Sequence, residues 1–449
     1  MNKKVLVNIM AGIFAPVLAM SAAPVSAADT ISELRAELAA QRARMDALEK
    51  KLEVAVKETV AAKEAAKQAV PAEKSAGLSM PKGLAVYGIV DAGVEIGDYG
   101  QGTKARVQSG LGSASRLGFK GERGFGNDLV AYFQLEAGVS VDNGQNTAHS
   151  SNISNPIRGT NSASTQSTTG VAVFSRNTFI GLRGKFGDVR FGRDFIPIYS
   201  ITSAADPFAA GGGTAYRLFA GSAAGRFDNA IFYATPNFNG FQGKIAYSAG
   251  MENNSRAEIG ASGFNTSTGP ESEGKGWNAS LTYKKGPLFV GASYLSYLRN
   301  GNVVLPATEN VKRKAWGLAA TYDFKVAKLY GYYQAGQDTQ AGRVKSLDQH
   351  AWWLGVSVPF RDVHTFRAVF SHLNDRMATN RDSNHIGLGY EYMLDKETDL
   401  YVYYASVTNK NGGTNSIYAG GGNLGFDGTA NLPINYTPKS LMLGARYRF

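Results

Sequence analysis

The sequence predicts an all-β protein, a 16-stranded antiparallel transmembrane β-barrel, preceded by a short α-helical coiled coil. Three observations carry this. Sixteen period-2 segments of membrane-crossing length lie between residues 84 and 449. Their connections alternate between short and long. The final segment alternates apolar and polar residues up to a terminal Phe449.

The elements run in order from residue 1. Residues 1–27 read as a signal peptide: Lys3 and Lys4 charge the start, Val5 to Met20 is apolar apart from Asn8 and Pro16, and Val25-Ser26-Ala27 supplies small residues for cleavage. Residues 28–68 read as a helical coiled-coil segment. Ile31, Leu34, Leu38, Met45, Leu48 and Leu52 follow 3-4 spacing, with Gln41 in the seam and Arg and Glu on the other faces. Leu at both core positions does not fix the number of helices. Residues 69–83, with Pro71, Gly77, Pro81 and Gly83, read as a linker, and 84–449 as the barrel. No later segment has 18 consecutive apolar residues, so no transmembrane helix is expected.

The strands are expected near 84–96, 113–122, 128–141, 171–185, 187–194, 226–235, 240–250, 275–285, 287–299, 312–324, 326–338, 348–360, 362–374, 383–394, 398–409 and 438–449. In 348–360, Trp352, Leu354, Val356, Val358 and Phe360 share one face. In 383–394, Ile386, Leu388, Tyr390, Tyr392 and Leu394 oppose His385, Gly387, Gly389 and Glu391. Short connections include Gly124-Phe125-Gly126-Asn127, Phe186-Gly187, Arg361-Asp362 and Asp395-Lys396, and long ones include 97–112, 142–170, 195–225, 251–274 and 410–437. A closed ring satisfies every backbone group in lipid, whereas an open sheet does not. A soluble sandwich would not need segments this long or aromatics at their ends, such as Tyr87, Tyr283, Tyr322, Phe324, Tyr392 and Tyr447. In the last segment Leu441, Leu443, Ala445, Tyr447 and Phe449 face one way and Met442, Gly444, Arg446 and Arg448 the other. An ending of this kind, with Tyr447 and Phe449, resembles the signal read by the barrel assembly machinery of the outer membrane.

Residues 84–449 resemble the trimeric general porins of Gram-negative bacteria, the proteobacterial type with arginine-rich pores. The resemblance rests on Tyr87-Gly88-Ile89-Val90-Asp91-Ala92-Gly93, Ser115-Arg116-Leu117-Gly118-Phe119-Lys120-Gly121-Glu122 and Phe133-Gln134-Leu135-Glu136. It continues through Arg176 with Phe179-Ile180-Gly181-Leu182, then Val189-Arg190-Phe191-Gly192-Arg193 and Arg226-Phe227-Asp228-Asn229-Ala230-Ile231-Phe232-Tyr233. The segment 28–68 departs from the common plan. The resemblance implies an outer-membrane, water-filled channel for passive diffusion, a homotrimer, and an inward-folded third loop at about 195–225. It implies acidic residues on that loop, with Asp194 and Asp206 as candidates, facing basic residues of the wall at Arg116, Lys120, Arg176 and Arg226. Parity agrees for Arg116 and Lys120, because Leu117 and Phe119 suit lipid, and for Arg226 and Asp228, because Phe227, Ile231 and Tyr233 do. Arg176 shares a register with Ile180 and Leu182, so either a bulge intervenes or it lies above the membrane.

Residues 77–449 carry 36 Lys and Arg against 27 Asp and Glu, which favours small anions in a narrow pore. A substrate-selective channel for organic acids such as dicarboxylates is the rival reading. An added structural or adhesin role, with cell-wall contact through 28–68, is a further one. Other classes are disfavoured. Gly420-Gly421-Gly422-Asn423-Leu424-Gly425 fits GxGxxG but has no helix behind it. The five His show no metal-ligand spacing, there is no Cys, and no nucleophile motif or cofactor signature is evident, so no enzyme is expected. Export argues against nucleic acid as a partner. Outer-membrane lipids are the expected surroundings.

Overall fold

The computed structural model describes residues 83–144, 173–215, 225–250, 275–300, 310–340, 344–419, 422–423 and 432–449, together with Ala39. The chain divides into two units, Met1–Ser79 and Met80–Phe449. The expected signal peptide, heptad helix and linker lie outside the described residues, save Ala39, which is helical and exposed.

The second unit is a ring of strands: β1 (Leu84–Asp98), β2 (Thr103–Ser109), β3 (Arg116–Gly124), β4 (Val130–Gly138), β5 (Thr178–Gly184), β6 (Gly187–Phe195), β7 (Arg226–Ala234), β8 (Phe241–Ser248), β9 (Gly276–Lys285), β10 (Leu288–Asn300), β11 (Asn310–Asp323), β12 (Lys328–Thr339), β13 (Lys345–Phe360), β14 (His364–Asp375), β15 (Ser383–Met393), β16 (Thr398–Asn409) and β19 (Lys439–Arg448). A two-residue pair, β17 (Tyr418–Ala419) with β18 (Gly422–Asn423), stands apart from the ring. One helix, α1 (Pro197–Ala204), follows β6, with proline in its first turn, where no backbone donor is required. Strands pair antiparallel with their chain neighbours, and β1 closes on β19 from Ile89↔Arg448 to Asp98↔Lys439. β2 and β3 pair with the upper and lower halves of β1 and form one stave, broken by an inward turn at 110–115. The ring therefore has sixteen staves.

The expected strands match this ring closely. The exception is the connection expected at 97–112, most of which is strand: β1 continues to Asp98 and returns as β2. The Thr103–Ser109 run, TKARVQS, is too polar to have suggested a strand. Short turns carry the local chemistry hairpins demand. Asn127-Asp128 and Arg361-Asp362 all have positive φ, as a two-residue hairpin turn matching the strand twist requires.

Alternation sets the two faces. On β11, Lys312, Lys314, Trp316, Leu318, Ala320 and Tyr322 are exposed, while Val311, Arg313, Ala315, Gly317, Ala319 and Thr321 are buried. Aromatic rings mark both ends of the outer apolar band. At the short-turn end Tyr322 packs on Phe324 at 4.5 Å and Phe366 on Tyr390 at 5.1 Å. At the long-connection end Trp277 packs on Tyr294 and Trp316 on Tyr333, each at 5.2 Å. Tyr87 does not belong to either belt. It faces inward, donating to Glu136 at 3.0 Å and accepting from Gln134 at 2.7 Å.

Candidate constriction of the barrel lumen

Inside the ring, the connection between β6 and β7 follows the inner wall. Its base is fixed where Ile196, Ile198, Phe227, Phe232 and Leu295 pack together. From there the segment meets successive staves. The Ile198 amide donates to Asn278 at 2.6 Å, Thr202 to Tyr332 at 2.7 Å, and the Trp353 indole to the Ala205 carbonyl at 2.6 Å. Arg367 donates to the Pro207 carbonyl, Phe208 meets Tyr403 edge-on at 5.4 Å, and the Gly212 amide donates to Leu111 at 2.8 Å. Wall glycines make room: a Cβ at Gly387 would stand 2.0 Å from the Gly213 oxygen, and one at Gly355 2.7 Å from the Pro207 ring.

Asp206 does something other than face the lumen as a free acid. It is 5% exposed, and its carboxylate accepts from the Phe208 amide at 3.0 Å, the Ala210 amide at 2.7 Å and the Thr214 hydroxyl at 2.5 Å. It folds the tip of the segment around itself. It is also the one charged residue of 196–215. Asp206→Asn is expected to lose about 1–3 kcal/mol, because one amide face cannot accept from the donors it meets. A lowered denaturant midpoint and a noisier open-channel current would record it.

Asp194 likewise departs from expectation. It lies on β6 and not on the inward segment, is 3% exposed, and is held by Arg190, by Asn177 at 2.8 Å and by the Phe195 amide at 2.7 Å.

The wall arginines converge. Glu136 is their centre: Arg176 Nε donates to it at 2.5 Å, and Arg116 and Arg226 both interact electrostatically with Arg176. Arg176 reaches this place through a bulge. The Glu136 amide donates to the Asn177 carbonyl while the Arg176 amide donates to the Glu136 carbonyl, so two residues oppose one. Ile180 is 61% exposed on the outside, yet Arg176 is buried within. Arg226 is buried too. Its Nε donates to Asn177 Oδ1 at 2.6 Å and its guanidinium stands 3.7 Å over the Phe195 ring, which stacks on Tyr199 at 4.1 Å. A register shift between Gly192 and Asp194 breaks the alternation there, so Phe227, expected outside, is fully buried in the inner cluster. Arg116 donates to the Ala114 carbonyl at 3.0 Å, and Lys120 stands 5.2 Å over Tyr87.

Parity reasoning passed over Glu136, whose inward register is available from the β4 pattern, and Asn177, which the bulge hides. Lys244 and Lys328 were also missed. Both share an inward register, with the buried Ala246 and with the buried Tyr330 respectively. Arg116, Lys120, Arg226, Lys244 and Lys328 make no ion pair among the described residues. Other inward cations are matched, Arg190 by Asp188, Arg193 by Asp228, Arg367 by Glu391 and Arg446 by Asp399. Against these five cations, and away from the turns at either rim, the inward acids without an ion pair are Asp91, Asp206 and Asp375, all buried, so the charge the described wall presents is biased positive, and the stretch 196–215 adds no exposed acid. Among the described residues no group of acids or His is placed to hold a metal ion.

A family model described as Gram-negative porin matches residues 54–412. Outer membrane porin protein 32 of Delftia acidovorans is 30% identical over 376 residues, 79% of this chain and 93% of that protein. An outer membrane porin protein of Bordetella pertussis is 26% identical, over 73% of this chain and 89% of that protein. Among solved structures, the anion-selective porin from Comamonas acidovorans matches with a TM-score of 0.64 at 25% identity, over 82% of this chain and 99% of that one.

Proposed function

Because the chain belongs to the Gram-negative porin family, we propose that it is an outer-membrane channel for passive diffusion of small hydrophilic solutes and ions, with anions favoured. Family and fold make it a channel rather than an enzyme. One observation carries the anion preference: five inward cations without an ion pair, against a stretch, 196–215, whose sole charge, Asp206, is buried. Fixed charge on a low-dielectric wall concentrates counter-ions.

Arg116, Lys120, Arg176 and Arg226 are assigned to the constriction, and Asp194 and Asp206 to shaping it. Reversal potentials under a salt gradient test this. The wild type is expected to prefer chloride over potassium. Arg116→Ala is expected to reduce the permeability ratio roughly twofold, because one unpaired charge leaves the field. The preference should weaken as salt rises and screening shortens. Cation preference in the wild type would end the proposal.

We assign a homotrimer, and wall height supports it. Strands β4 to β8 run only 7–9 residues each, 7–9 fewer than the 16 of β13. At about 3.3 Å per residue and a tilt near 40°, such strands rise roughly 18–23 Å, less than the apolar band of about 25 Å. Cover from another copy removes that mismatch. A mass in detergent equal to three chains is expected, and a single-chain mass would reject it.

Residues 1–27 are assigned to export, 28–68 to a periplasmic coiled coil touching the cell wall, and Tyr447 with Phe449 to recognition during assembly. Pull-down of peptidoglycan with and without 28–68 tests the second assignment, and equal recovery would refute it.

A further inference from the structure

The run Tyr87-Gly88-Ile89-Val90-Asp91-Ala92-Gly93 carries one charged group that selectivity alone leaves without a role. Asp91 is fully buried and sits where the first stave is interrupted. β1 pairs with Ser109 through Ala92 and with Arg116 through Ile89, so Val90 and Asp91 face the gap from which residues 110–115 turn inward. Gly110 opens that turn with a φ of 75°, in the left-handed region that favours glycine. The turn is then built on Asp91. The Asp91 carbonyl accepts from the Gly110 amide at 2.8 Å and from the Ser115 hydroxyl at 2.9 Å. Its carboxylate accepts from the Gly112 amide at 3.1 Å, the Ser113 amide at 2.7 Å and the Tyr401 hydroxyl at 2.6 Å. Arg446, paired with Asp399 at 2.7 Å, donates to the Ser113 hydroxyl at 2.6 Å.

Two parts of the constriction rest on this turn. The tip of the β6–β7 connection lies against it: the Gly212 amide donates to the Leu111 carbonyl at 2.8 Å, and a Cβ at Gly211 would stand 2.6 Å from the Gly112 oxygen. Leu111 is fully buried, in the cluster that also holds Ala215, Tyr403 and Met442. At the other end of the turn the chain runs straight into Arg116, whose Nε donates to the Ala114 carbonyl at 3.0 Å. The turn therefore joins the tip that narrows the lumen to an arginine that charges it.

We propose that Asp91 is a positioning residue for permeation: through the turn 110–115 it sets both where the tip lies and where the Arg116 guanidinium stands. Asp91 meets no passing ion, since it is fully buried, and it acts through the backbone it holds. The sign of its effect separates positioning from plain charge. Deleting a negative charge from the wall, by itself, strengthens the pull on anions. Releasing Arg116 from its place weakens that pull. In Asp91→Asn one carboxylate oxygen becomes an NH2 group. Whichever way that side chain flips, the amide of Gly112 or of Ser113 then meets a donor, and a backbone N–H cannot accept.

Asp91 has this role only in a conducting pore, so the assignment rests on the channel reading above. The test places the full chain in planar bilayers with potassium chloride as the probe and reads single-channel current and reversal potential. Asp91→Asn is expected to lower the chloride-over-potassium permeability ratio roughly twofold, the same fall as Arg116→Ala. Open-channel current noise should rise about twofold as the tip loses its support. In an Arg116→Ala background the same substitution should leave the ratio where it is, because the charge it would misplace is already gone. An unchanged or raised ratio in Asp91→Asn overturns the proposal, and so does an equal further fall in the double variant. Hydrogen exchange of the wild type in micelles decides the matter even if the variant does not fold. The Gly112, Ser113 and Gly212 amides are expected to be as protected as those of β1, and exchange at the rate of exposed turn amides overturns the proposal. A wild type that forms no pore fails the channel reading alone, since the exchange measurement still reads the turn.

Discussion

Glu136→Gln is expected to cost the barrel about 3–5 kcal/mol, the scale of breaking a buried ion pair by removing one partner. Glu136 is 3% exposed and accepts from Arg176 at 2.5 Å and from Tyr87 at 3.0 Å. Once its charge is gone, Arg176 remains buried within electrostatic reach of Arg116 and Arg226 with no carboxylate at the centre. Charge desolvated without compensation is the dominant cost, far above that of one neutral hydrogen bond. A second substitution, Arg176→Met, should restore most of the loss, since both charges are then absent. Guanidinium unfolding in micelles, followed by tryptophan fluorescence, measures both. A loss below about 1 kcal/mol for the single variant would show that the cluster is solvated and the arginines do not depend on Glu136.

The second large effect is expected at Gly387, on the wall behind the inward segment. A Cβ there would lie 2.0 Å from the Gly213 oxygen and 3.0 Å from Val369. Normal contact needs about 3.5 Å, so the tip has to move roughly 1.5 Å off the wall and into the lumen. Retreat along the wall is blocked, because Gly213 is itself closely packed against Phe208. Gly387→Val should therefore lower single-channel conductance by roughly a third, since pore width governs passage at this scale, and cost about 1–3 kcal/mol in overpacking. Gly331→Ala is the control, because its Cβ would meet Leu354 at 3.7 Å and the Ala320 oxygen at 4.0 Å, both ordinary contacts. An unchanged conductance in Gly387→Val would mean that the tip does not bound the narrowest passage.

Most of the ring was legible in the sequence because a one-residue period error in a strand reverses every side chain, and lipid outside with water inside punishes such reversal. The faces of 348–360 and 383–394 could be read residue by residue for this reason. The same rule is where the reading failed. Two local irregularities, one at Arg176-Asn177 opposite Glu136 and one between Gly192 and Asp194, add or skip a residue without leaving a turn signal. They bring Arg176 inside, where the count of alternate positions offered a bulge as one of two readings, and turn Phe227 inward, which no such count foresees. Asp206 was beyond parity altogether. Its role is set by amides of Phe208 and Ala210 that converge only once the tip has folded. The convergence of arginines on one glutamate was likewise hidden, because those residues are distant in sequence and meet only once staves β3 to β7 have paired.

The junction of β1 with β19 makes one stave answerable for closure. Phe449, just past β19, exchanges backbone hydrogen bonds with Gly88, at 3.0 and 3.2 Å, near the start of the first stave. A chain cut short before Lys439 keeps two raw edges, on β1 and β16, with nothing in oil to satisfy them. Closure of the cylinder thus rests on that one stave, and a copy without it has no sealed form in the bilayer.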